Sequence, residues 1–198
     1  MNRVWVTAML ALTLGLSAQA QEKEKELPAL KYGGKIGFNQ SIITGAEDTT
    51  GKSGFHIGAV LEVFVSERIS IQPELVYSTQ GAKLEGVFPY SYSGKVKMNY
   101  INIPVMAKFF VSRGFNIQVG PQIGFAVKTD MELEGQTADI GSVVNKVDFG
   151  FNFGLGYNFP SGVFLETRYN VGTTNVLKNV DKSNKNGTFQ FSLGYKFN

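Results

Sequence analysis

The chain has 198 residues, 43% of them hydrophobic and 18% charged, enough for one domain with a sizeable core or a closed barrel. Its net charge of +3 shows no basic excess of the kind that accompanies nucleic-acid binding. The absence of cysteine excludes disulfide frameworks, thiol nucleophiles, Cys-based zinc sites and a lipid-anchored Cys.

Met1-Asn2-Arg3 is a short basic start, and the apolar stretch Val4 to Leu16 follows it. That stretch is shorter than the ~20 residues a membrane-spanning helix needs. Ser17-Ala18-Gln19-Ala20 then places small residues at the two positions a signal peptidase reads. The pattern predicts a signal peptide over residues 1–20, cleaved after Ala20. Residues 21–30, rich in Glu and Lys, read as a periplasmic leader, and residues 31–198 as the folded domain.

From Lys31 onward the hydrophobic period is two, which is the period of a strand with one greasy and one polar face. Tyr32, Ile36 and Phe38 alternate with Gly33, Lys35, Gly37 and Asn39. Phe55 to Val65 alternate with a polar set that includes His56 and Glu62, and Ile69 to Tyr77 with Ser70, Gln72, Glu74 and Ser78. Ile101 to Phe109 alternate with Tyr100, Asn102 and Lys108. Phe115 to Val127 alternate with Asn116, Gln118, Gln122 and Lys128. The sixth segment, Lys146 to Phe159, is unbroken: Val147, Phe149, Phe151, Phe153, Leu155 and Tyr157 interleave with Asp148, Gly150, Asn152, Gly154 and Gly156. Val163 to Val171 alternate with Glu166, Arg168 and Asn170, and Phe189 to Phe197 with Gln190, Ser192, Gly194 and Lys196. No helical spacing competes.

Eight such segments are joined by connections that alternate short and long. Ser66–Arg68, Ser112–Gly114 and Pro160–Gly162 are tight turns, whereas the stretches around Ser41–Lys52, Ala82–Lys95, Asp130–Val144 and Thr173–Asn186 read as long polar loops. Of the 16 phenylalanines, all but Phe64, Phe88, Phe110 and Phe164 fall on the greasy face. A secretory signal, a greasy outer face, short turns at one end and long loops at the other predict an all-β, eight-stranded antiparallel up-and-down transmembrane barrel in the outer membrane, with both termini in the periplasm. Its lumen would hold the charges Lys35, Glu62, Glu74, Lys108, Lys128, Asp148, Glu166, Arg168 and Lys196 together with His56. An eight-stranded barrel is just wide enough for side chains to fill, so these groups are expected to plug it. Pro73, Pro104 and Pro121 lie within strands, where each removes a ladder donor. Parity is unchanged across all three, which predicts local bending without an inserted residue.

Ile71-Gln72-Pro73-Glu74-Leu75-Val76-Tyr77-Ser78-Thr79-Gln80-Gly81-Ala82 resembles the Pro-Glu-Leu-x-Tyr-Ser-x-x-Gly segment of the PorT-like outer-membrane β-barrel family. Asn99-Tyr100-Ile101-Asn102-Ile103-Pro104-Val105 resembles its Tyr-x-x-x-Pro strand, and Gly120–Gly124 and Arg168–Gly172 resemble later strands. The resemblance implies an outer-membrane barrel of a Gram-negative bacterium and, by analogy only, an accessory part in protein secretion.

His56 is the only histidine. Its inward parity places it within reach of Ser78 or Asn39, a possible base–nucleophile arrangement for a lipid or lipopolysaccharide hydrolase. Neither a Gly-x-Ser-x-Gly elbow nor a His-Glu-x-x-His pair accompanies it. The expectation is therefore a non-enzymatic barrel with no cofactor, no metal site and no catalytic residue, acting in a structural or interaction role. Its expected partners are outer-membrane lipid, the barrel-insertion machinery and a protein at the outer loops. Those loops carry acidic residues (Asp130, Glu132, Glu134, Asp139), basic residues (Lys178, Lys182, Lys185) and the aromatic run Val87–Tyr92.

Overall fold

A computed structural model describes residues 30–45, 49–86, 92–133, 135–178 and 184–197. The expected signal peptide, most of the leader, the run Val87–Ser91, Glu134 and Lys182 lie outside the described residues.

The described chain is antiparallel sheet throughout: β1 (Leu30–Thr44), β2 (Thr49–Ser66), β3 (Ile69–Gly86), β4 (Tyr92–Phe110), β5 (Phe115–Leu133), β6 (Gln136–Asp139), β7 (Val147–Asn158), β8 (Val163–Asn175) and β9 (Lys185–Phe197). Strand order runs β4-β3-β2-β1-β9-β8-β7-β5, and β4 also pairs with β5. That pairing closes the sheet into a ring, so no long strand keeps a free edge. Eight strands make the ring. The ninth, β6, is a short strand laid back on β5, with Asp130 opposite Asp139 and Leu133 opposite Gln136.

The alternation determines which face is which. Phe38, Phe55, Leu75, Phe109, Phe149, Phe151, Phe153, Phe189 and Phe191 are all exposed on the outside, while Lys35, Asn39, Glu62, Gln72, Lys108, Asn152, Arg168 and Lys196 are buried within the ring. The upper edge of the outer apolar belt is continuous across strands. Phe38 faces Phe55, Tyr77 faces Ile101, Phe125 faces Val147, and Phe191 faces Phe38. From Ile101 to Val111 the belt runs about ten residues along a tilted strand, roughly the ~25 Å apolar band of such barrels. At the other end the connections are tight: Gly114 and Gly162 take φ of 88° and 91°, left-handed backbone that glycine adopts without strain.

Two expectations change. Much of three stretches read as long polar loops, 41–52, 82–95 and 130–144, is strand, because β2 to β5 continue well past the belt as paired hairpins. Asp130 and Glu132 belong to β5 and Asp139 to β6. Lys128 is not in the lumen. The β4–β5 register shifts between Asn99, opposite Lys128, and Tyr100, opposite Ala126. The extra residue, Val127, is a bulge that reverses parity above it, so Thr129 turns inward and Lys128 outward, where it pairs with Asp130 at 3.1 Å.

The prolines leave the register untouched, as parity predicted. Pairing between β2 and β3 is interrupted from Val60–Glu74 to Val63–Ile71, at Pro73. Between β3 and β4 it is interrupted from Pro73–Val105 to Val76–Asn102, at Pro104, and between β4 and β5 from Pro104–Gln122 to Ala107–Val119, at Pro121. Each proline thus sits at a local gap in one seam, and the three gaps step sideways across neighbouring seams.

Candidate functional site: the filled lumen

The lumen is built in layers. Nearest the short turns, Phe64 and Phe110 stack with centroids 5.5 Å apart. Above them lies an ionic network drawn from six strands. Arg168 on β8 grips Glu74 on β3 with both terminal nitrogens, at 2.9 and 2.6 Å, reaches Glu166 at 2.7 Å, and donates through Nε to Gln118 at 3.0 Å. Lys35 on β1 pairs with Glu74 at 2.6 Å, and Lys108 on β4 with Glu166 at 2.6 Å. Lys196 on β9 pairs with Glu62 on β2 at 2.7 Å, and Ser70 donates to the same carboxylate at 2.7 Å. These four cations and three carboxylates are all buried.

Charges so far from water cost several kcal/mol each unless paired and hydrogen-bonded. That cost explains why Gln72 and Gln118 also donate to Glu74 and Glu166, filling the remaining lone pairs. A Cβ on Gly154 would stand 2.7 Å from the Arg168 Cγ, so the inward glycine opposite Arg168 clears the space for its stem.

Asp148 stands apart from this network. It lies opposite Gly124 near the outer end of β7, with Asn186 as its hydrogen-bonding neighbour. Periodicity showed which side chains face inward. It put Phe164 off the greasy face without giving it a role, and this ring is fully buried with the Lys196 ammonium 4.4 Å and the Lys108 ammonium 5.7 Å from its centroid. Its even position between Val163 and Leu165 was the available signal.

The middle layer is neutral and polar. His56 Nδ1 lies 2.7 Å from Asn39 Oδ1, and Nε2 lies 2.8 Å from Ser192 Oγ. Asn39 Oδ1 can only accept, so Nδ1 carries the proton and Ser192 donates to Nε2. Ser78 is not the partner of His56: Asn39 Nδ2 donates to it at 2.8 Å. Gly37 explains the substitution. It pairs with His56 on one side and Ser192 on the other, and a Cβ there would lie 2.6 Å from the imidazole. Without one, the two flanking strands' side chains meet across β1. The distances match those of a nucleophile–base–orienter set, yet His56, Asn39 and Ser192 are each at most 3% exposed, and none of them lines a described cavity. Asn170, Asn152 and Gln122 continue the layer as an amide chain.

The outer end is apolar. Ile43, Ala82, Val96, Met98, Tyr100, Val144 and Val176 form one buried cluster, with Ile140 and Leu177 packed against it. Val144 and Leu177 pair as an isolated bridge, so these described residues of the β6–β7 and β8–β9 connections fold inward at the outer end. Among the described residues no group of three or more His, Cys, Asp or Glu is arranged to hold a metal.

A family model described as "Outer membrane protein beta-barrel domain" matches residues 18–178. No curated protein matches the sequence. Among solved structures, Neisserial surface protein A is similar at 13% identity, over 84% of this chain and 97% of that one, with a TM-score of 0.59. Ail of Yersinia pestis, solved with the heparin analogue sucrose octasulfate, is similar at 14% identity over 85% and 99% of the two chains, TM-score 0.51. OprG of Pseudomonas aeruginosa follows at 10% identity over 86% and 97%, TM-score 0.50. At such identities the likeness is one of fold. With a closed ring, a greasy exterior and a family match over most of its length, the chain belongs to the outer membrane protein β-barrel domain family and resides in the outer membrane.

Proposed function

We propose that this barrel is a non-enzymatic, non-conducting outer-membrane protein with a structural or interaction role exerted through its outer hairpins. The filled lumen carries the reading. A stacked aromatic pair, an ionic layer, an amide layer and an apolar cap succeed one another along the axis, which leaves the paired extensions of β2 to β6 as the surface available to a partner. The burial of Ser192 and His56 speaks against the hydrolase alternative. The signal peptide over residues 1–20 and the PorT-like assignment belong to this proposal too. The PorT-like assignment rests on the Pro73–Gly81 and Tyr100–Pro104 segments and brings with it an accessory place in a secretion machine.

The test uses barrel purified from outer membranes, with an intact mass expected to begin at Gln21. In planar bilayers it should give no stable conductance steps, and in mild detergent it should bring protein partners with it. Reproducible ohmic openings, or a strictly monomeric barrel without partners, would overturn the reading.

A further inference from the structure

The outward face of β2 to β4 just above the apolar belt carries an imbalance that the fold does not resolve. On adjacent strands Lys83 stands directly opposite Lys95, and Lys97 stands opposite Gly81. Like charges facing each other across a ladder destabilise it. Lys52 joins them from β2: its stem crosses Gly81, where a Cβ would lie 3.3 Å from the lysine Cδ, and its ammonium donates to the Gln80 carbonyl at 3.2 Å. Two carboxylates on β5 face this group, and one of them, Asp130, lies opposite Lys97 in the register but pairs with Lys128 at 3.1 Å. The other, Glu132, pairs with Lys97 at 2.5 Å and lies opposite Lys95 in the register, while Lys83 and Lys95 make no ion pair among the described residues. Lys52 lies beyond the membrane-spanning part of β2. Partial burial and then the nearness of Lys97 and Lys95 hold its ammonium below the ordinary lysine value. The excess is one-sided. At the same height on the far wall the outward positions are Ile42, Thr44, Thr173 and Gly187, with Lys185 alone opposite Thr44.

The belt resumes below them, three residues down-strand of Lys52, four of Lys97 and six of Lys83 and Lys95, with exposed Phe55, Tyr77 and Ile101, the Phe55 and Tyr77 rings 6.3 Å apart. A soluble anion would meet the charges but not the greasy surface below them, whereas a lipid meets both. Lysine stems are long enough to bring their ammonium groups down to the headgroup level. We propose that this face is a binding site for the phosphate groups of a membrane lipid headgroup, with the acyl chains lying along the belt below. The site is independent of whether the outer hairpins also dock a protein.

The experiment compares the detergent-purified full barrel with the double variant Lys83→Gln/Lys95→Gln and with a control, Lys146→Gln/Lys178→Gln. Native mass spectrometry reads the lipid retained after mixing with diphosphoryl lipid A. Wild type and control should retain it. The double variant should weaken retention about tenfold or more while keeping the heat-modifiable mobility of a folded barrel. Lipid A stripped of its phosphates should be lost by all three proteins, and inorganic phosphate at matched concentration should not displace the intact lipid. Three results would overturn the proposal: equal retention of the dephosphorylated lipid, unchanged retention by the double variant, or a preference for inorganic phosphate or a sulfated sugar over the lipid.

Discussion

Arg168 touches Glu74, Glu166 and Gln118 within the network and is 2% exposed. Such a group tells little about net stability, because the desolvation of the ions offsets much of their attraction. Its removal has a clear sign. Arg168→Met leaves two buried carboxylates sharing Lys35 and Lys108, and is expected to cost about 3–5 kcal/mol. The triple change Arg168→Met/Glu74→Met/Lys35→Met leaves two cations for two carboxylates, Lys108 with Glu166 and Lys196 with Glu62, and should recover part of that loss. Urea titration in vesicles, read by gel mobility, separates the two, since the lone tryptophan, Trp5, falls in the expected signal peptide. At this scale the sequence disclosed which residues face inward but not which of them meet. His56 pairs with Ser192 because β1 lies between β2 and β9 with a glycine at the crossing, a fact of ring closure that no local pattern carries.

Strands were the most legible level, since period two needs only a greasy and a polar side. What escaped was the parity reversal at Val127, where a single bulged residue turned Lys128 from the lumen to the outside. Alternation there continues in either register, so the residues gave no local warning. The reach of β2 to β5 beyond the belt was also hidden, because polar residues in a solvent-exposed hairpin look like loop residues. The face assignment itself can be tested on β7, where Phe151 is exposed and Asn152 is buried between Gln122 and Asn170. Phe151→Arg puts a charge against acyl chains and should cost about 2–4 kcal/mol in vesicles, with Phe151→Leu close to neutral. Asn152→Leu should cost about 1–3 kcal/mol by leaving the buried Asn170 and the half-buried Gln122 short of a partner. If Phe151→Arg unfolds at the wild-type urea concentration, the outer face is not lipid-facing.

For the whole molecule, the closed ring and the alternation of tight turns and long connections were visible in outline, and the apolar cap was not. Val144, next to Val143, and the adjacent Val176 and Leu177 are short apolar pairs in polar surroundings, without a period to mark them, and only the fold gathers them at the outer end. Topology predicts where intact cells are open to protease. Lys178 is exposed at the outer end, so added trypsin should cut there. Arg68 and Arg113 lie in the turns at the opposite end and should survive until the outer membrane is breached. Lys95, within β4 and paired on both sides, should resist as well. Mass mapping of the fragments checks all four sites, and cleavage at Arg68 or Arg113 in sealed cells would invert the barrel.

The ties between Lys196 and Glu62, and from Lys35 to Glu74 and Glu166, have a temporal meaning. Glu62 sits on the second strand to be synthesised and Lys196 on the last, 134 positions away. Until β9 docks against β1, the carboxylate of Glu62 lacks that ammonium, whereas Lys35 on β1 and Glu74 on β3 are close enough to meet in a half-built sheet. Completion of the wall therefore adds the ties that span the closing seam, Lys196 to Glu62 and Lys35 to Glu166. A partly assembled chain differs electrically from a finished one, and that difference distinguishes an unfinished barrel from one ready to be released into the membrane.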